Sequence, residues 1–160
     1  MRTTALALAC LLSLAAHAYT VTDANAWTTQ EVKFTVSGND ELKQATRSAF
    51  KAWAKVCGLK FKEVSTGAQI YVCFAEVPPN YAGYAHKSQD SRNRSTVWFL
   101  AINGALEAHQ LKAVVLHEIG HAIGIEHSNV PDAVMSTGSD SDELHDDDIR
   151  AAQALYGKPK

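Results

Sequence analysis

His117-Glu118-Ile119-Gly120-His121-Ala122-Ile123-Gly124-Ile125-Glu126-His127 decides how this chain is read. The stretch fits H-E-x-x-H-x-x-G-x-x-H. Residues four apart on a helix share a face, so His117 and His121 point the same way and their ring nitrogens can reach one ion at about 2.0–2.1 Å. Gly124 lets the chain turn through backbone angles that a Cβ disfavours, which brings His127 to the same ion from another side. Three imidazoles leave a fourth position for water, as a catalytic zinc requires, and no cysteine lies nearby to close it. Glu118, beside the first ligand, is expected to be the general base toward a zinc-bound water whose pKa falls to about 7. A chance match at five fixed positions has a frequency below about one in a million at average composition.

The surrounding pattern predicts a helix over residues 105–123, with Leu106, Leu111, Val114, Val115 and Leu116 as its packing face and Gly124 as its stop. Further upstream, Val32, Phe34 and Val36 alternate with Lys33 and Thr35 as in a half-buried strand over Glu31–Ser37. A helix follows to about Val56, capped by Asn39 or Asp40 and ended by Gly58. Strands are expected over 59–64, 69–75, 81–86 and 96–102, the third a short edge strand, with 87–94 a polar loop. The helix between the first two strands argues for a crossover and parallel pairing. Downstream, Asp146, Asp147 and Asp148 open a last helix that runs through Ile149, Ala152 and Leu155 to Gly157. The acidic residues from Asp140 to Asp148 are expected to form a solvated, capping run, since they lack the alternation and glycine of a calcium loop.

Of the 160 residues, 46% are hydrophobic and 20% charged, which suits one globular domain. A formal charge of -2 without a lysine or arginine block excludes a phosphate-tracking surface, so no nucleic acid partner is expected. Residues 1–18 read as a signal peptide: Arg2, an apolar run, then Ala16-His17-Ala18 as a cleavage site. The run is shorter than the roughly 20 apolar residues of an anchor, so no membrane association is expected after cleavage. Lipid attachment at Cys10 is the weaker alternative. Residues 19–160 then form a single domain that is secreted, extracellular or periplasmic. Cys57 and Cys73 remain in it, and the oxidising compartment predicts a disulfide between them, with two separately buried thiols as the alternative.

The motif, followed by Ser128 and then Val130-Pro131-Asp132-Ala133-Val134-Met135, resembles the metzincins and, within them, the matrixins. Ala49-Phe50-Lys51-Ala52-Trp53 and the closing Leu155-Tyr156-Gly157 extend the resemblance over nearly the whole chain after residue 18. It implies an α+β, zincin-like fold: a twisted, mixed five-stranded sheet with a backing helix and an active-site helix, then a smaller C-terminal subdomain carrying the last helix. It implies one catalytic Zn2+ on His117, His121 and His127, with Met135 as the apolar floor of a Met-turn. It also implies a monomeric endopeptidase acting on protein or peptide substrates, which lie extended along the edge strand near Tyr84, Ala85 and Val114.

Several features depart from the family. The segment before Trp27 has no room for a propeptide cysteine, so thiolate latency is not expected. His86 and Asp90 alone stand where a second, structural zinc and calcium ions are held, so neither is expected. Ser136-Thr137-Gly138 replaces the residues that usually follow the methionine, which leaves the pocket's preference open. An N-terminal Tyr19 could pair its ammonium with Asp147, or Asp147 could simply help cap the last helix. Other readings are a catalytically silent zinc- or partner-binding module on the same fold, and a hydrolase of cell-wall peptide links.

Overall fold

A computed structural model describes residues 19–22, 25–89 and 95–160. The signal-peptide reading of 1–18, Asp90 and much of the predicted 87–94 loop lie outside them. The elements run β1 (Glu31–Ser37), α1 (Asp40–Val56), β2 (Lys60–Glu63), β3 (Ile70–Phe74), β4 (Gly83–Gln89), β5 (Thr96–Ile102), α2 (Ala108–Ala122) and α3 (Asp146–Tyr156). Five strands form one sheet in the order β2-β1-β3-β5-β4. The first four pair in parallel, and β4 closes the edge antiparallel to β5. This is the mixed five-stranded sheet expected of the fold class.

Local chemistry explains the backing helix. Asn39 Oδ1 accepts the Leu42 N–H at 2.9 Å, which satisfies one of the orphan donors of the first turn of α1. Leu42, Ala45, Ala49, Phe50 and Trp53 recur at helical spacing and are all buried. Phe50 packs between Phe34 of β1 and Phe61 of β2, at ring-centroid distances of 4.0 and 4.8 Å. Trp53 crosses to the second helix, where its indole N–H donates to Leu116 O at 3.1 Å. Burial of a large side chain such as Trp53 or Phe50 stabilises the fold by about 1.5–3 kcal/mol.

Two boundaries differ clearly from the sequence pattern. Helix α2 starts at Ala108, not 105, because Gln110 Oε1 accepts the Glu107 N–H at 3.1 Å and Asn103 Oδ1 holds the Ala105 N–H in a preceding turn. Strand β4 begins at Gly83, after a turn in which Tyr81 N–H donates to Pro78 O, and continues through the polar Lys87, Ser88 and Gln89. Those three pair with Trp98, Val97 and Thr96. An edge strand keeps one side in solvent and needs no apolar alternation. Helix α1 ends at Val56 as expected, with an extended Cys57 as its cap ahead of Gly58.

The expected disulfide is absent: Cys57 and Cys73 are free thiols. Cys57 follows α1 and leads into β2, whose Lys60 pairs with Glu31 at the start of β1, whereas Cys73 pairs with Ser37 at its end. Six residues of strand separate those two ends by about 20 Å, beyond the roughly 7 Å that a bridge tolerates between Cα atoms. Cys57 Sγ instead lies 3.3 Å from Trp53 O.

Candidate metal centre and cleft

Helix α2 carries His117, Glu118 and His121 along the face turned toward β4, and Gly124, at φ +88°, reverses the chain behind it. The three imidazoles converge, with one nitrogen from each of His117, His121 and His127 inside a set no more than 4.8 Å across. Among the described residues, no other three His, Cys, Asp or Glu side chains gather in this way.

The hydrogen bonds of the rings fit them for a metal. His117 Nδ1 lies 2.7 Å from Val134 O, and His121 Nδ1 lies 2.9 Å from Ile125 O. A carbonyl only accepts, so each Nδ1 carries the proton and each Nε2 keeps a free lone pair. Burial adds to this. It holds the His117 imidazolium below its ordinary range and pushes the His121 pKa down to about 4, with His117 reinforcing the shift. The rings are therefore neutral at pH values where a free imidazole, at about 6.5, takes up a proton. In the metal-free protein a depressed histidine pKa contributes stability that is complete above pH 6.5 and is lost as pH falls toward 4. Burial of Glu118 acts in the opposite sense over the same pH range, so the comparison is made in a Glu118→Gln background. Urea unfolding of that chelated variant is expected to show a lower midpoint at pH 5 than at pH 7, and equal midpoints would contradict the burial argument.

Glu118 is only 6% exposed, and burial raises its pKa to about 7, opposed by a hydrogen bond from the Ala85 backbone N–H. Gly83 permits this approach of strand to helix. A Cβ there would stand 2.6 Å from Val114 Cγ1 and 2.7 Å from Glu118 Oε1. The space between β4 and α2 is a cleft of about 600 Å³, lined by Tyr84, Ala85, Trp98, Val114, Glu118 and the three histidines.

Met135 is fully buried, with its thioether against Gly120 of α2. A methyl group on Gly120 would overlap Met135 Sδ and approach Trp53 Cζ2 to 3.2 Å. The glycine inside the motif is thus the seat of the methionine. Gly120→Ala is expected to destabilise the protein by about 1–3 kcal/mol, the usual cost of overpacking a core, measurable as a lower urea midpoint at unchanged slope.

The acidic run is not solvated throughout: Asp146 is exposed as expected, but Asp147 and Asp148 are only 3% and 1% exposed. Asp148 accepts the backbone N–H groups of Val134, Met135 and His145 at 2.9, 3.0 and 2.9 Å. It therefore pins the turn whose Val134 carbonyl orients His117. Asp147 accepts Ser128 Oγ at 2.6 Å and pairs with Arg150 at 3.2 Å. A signal for this burial was present, because Ala151, Ala152 and Leu155 follow Asp148 at +3, +4 and +7 on one helical face. Of the other histidines, His86 stacks on Tyr84 and His145 is the N-cap of α3.

The mixed sheet, the helix bearing H-E-x-x-H and the buried methionine beneath it define a metzincin fold. The family model for matrixin matches residues 24–157, and the chain belongs to that family of zinc metalloproteases. Macrophage metalloelastase of Oryctolagus cuniculus is 30% identical over 76% of this chain. Matrix metalloproteinase-16 of Homo sapiens is 29% identical over 76%. The alignments span only 30% and 25% of those two relatives' lengths. The solved structure of myroilysin shares the fold at a TM-score of 0.61 and 13% identity, covering 83% of this chain and 82% of that one.

Proposed function

We propose that this domain is an exported zinc endopeptidase in which His117, His121 and His127 hold the metal and Glu118 is the general base. The convergence of the three imidazoles beside a buried carboxylate carries the reading. Zinc held there supplies Lewis acidity to a peptide carbonyl and acidifies water. Glu118, buried beside the three imidazoles, is placed to take a proton from the attacking water and deliver it to the leaving amine, and its burial favours the form that holds that proton. The Ala85 N–H holds the carboxylate toward the cleft. Strand β4 is the sheet's edge, so its free side can pair with an extended substrate main chain, while Tyr84 and Val114 border the space for substrate side chains. Met135 and Gly120 keep the floor dry and rigid.

Export follows from the reading of residues 1–18, and a monomeric protease on protein or peptide substrates is the form in which we propose it acts. One catalytic zinc suffices for this chemistry. The test is cleavage of an unfolded protein by the zinc-loaded enzyme. We expect cleavage that stops with excess chelator and returns with zinc. Undiminished cleavage in chelator would refute the assignment.

A further inference from the structure

His117 and His121 are steered by ring hydrogen bonds to carbonyls, but the exposed His127 ring makes none among the described residues. Its position is therefore decided by its backbone, and above all by the turn from Ala122 to Glu126.

Every carbonyl in the first four residues of that turn has a donor. Trp27 Nε1 donates to Ala122 O at 2.8 Å, and Tyr156 OH to Ile123 O at 2.6 Å. Thr22 N–H donates to Gly124 O at 3.0 Å, and His121 Nδ1 to Ile125 O at 2.9 Å. Carbonyls at the end of a helix have no partner within it, so this degree of satisfaction reflects outside help. Much of it comes from the segment before β1. Val21 bridges Ile125 in antiparallel fashion, Glu126 N–H donates to Thr20 O at 2.9 Å, and Thr22 Oγ1 donates to Glu126 Oε1 at 2.9 Å. Trp27 N–H also donates to the Tyr156 hydroxyl at 3.1 Å, which aims that hydroxyl at Ile123.

We propose that Thr20–Thr22 and Trp27 form a clasp that positions the third zinc ligand, so that the segment before the sheet sets how tightly the metal is held. These are positioning residues acting through the backbone of His127 and through the Ile125 carbonyl that orients His121. Loss of groups that orient ligands typically weakens metal affinity 10- to 100-fold. The inference rests on the zinc reading above.

Zinc dissociation constants measured by chelator competition test it, alongside the cobalt(II) absorption spectrum and the unfolding midpoint of the metal-free form. Thr22→Val and Trp27→Phe are each expected to weaken zinc binding about tenfold, with reduced ligand-field intensity. Thr22→Ser should restore the wild-type value, and Thr29→Val, whose exposed hydroxyl serves only Glu31 O, should match it. If Thr22→Val and Trp27→Phe bind zinc as tightly as wild type, whatever their effect on the unfolding midpoint, the clasp is overturned while the zinc reading stands. If wild-type protein fails to bind zinc, the functional reading falls and takes the clasp with it.

Discussion

Glu118→Gln is expected to lower kcat for peptide cleavage by about 10²–10⁴, the range that a positioned general base contributes, with KM and zinc content unchanged. The amide keeps the shape of the side chain, so the close approach of Gly83 is preserved and only the proton-accepting capacity is lost. Stability should move the other way. Burial raises the Glu118 pKa to about 7, so its favourable contribution is present below the ordinary carboxylate value and is lost as pH rises through 7. At pH 8 the metal-free wild type carries a buried, desolvated charge that the glutamine variant lacks. The variant should therefore unfold at equal or higher urea concentration. A variant that cleaves at the wild-type rate would remove Glu118 from the mechanism.

Asp148→Ala is expected to have the largest effect on the fold. Its carboxylate receives three backbone N–H groups at a site 1% exposed, and hydrogen bonds to charged groups are worth about 1.5–3 kcal/mol each. Such bonds do not add fully, so a loss of about 3–5 kcal/mol is expected, a large share of the 5–15 kcal/mol that holds a domain together. The same change frees the Val134 carbonyl from its anchored turn and loosens His117 Nδ1, so zinc affinity should fall about 10- to 100-fold. Urea unfolding and chelator competition read the two effects separately. A loss under about 1 kcal/mol with unchanged zinc affinity would mean that the turn holds itself.

The parts of this molecule that repeat with a period were legible in the sequence. Val32 and Phe34 announced β1, the apolar spacing from Leu42 to Trp53 announced α1, and the spacing of the histidines announced the cluster of three imidazoles, because each pattern reflects local helix, strand or turn geometry. The contacts that complete the site were hidden because they join residues far apart in the chain. Nothing in the sequence near Trp27 signals that its indole reaches Ala122, 95 residues away. Asp148 was read as a solvated charge because charge at a helix start usually is, although the spacing of Ala151, Ala152 and Leu155 pointed inward. The disulfide failed for a similar reason: compartment and an even count say nothing about which ends of a sheet two cysteines occupy.

The docking of α3 has a consequence for timing. Asp148 ties down the turn whose Val134 carbonyl steers His117, and Tyr156 secures the carbonyl of Ile123, so residues made after the motif complete the arrangement of its histidines. A nascent chain in which α3 has not yet emerged holds the whole motif without the contacts that fix His117 and the turn after Ile123.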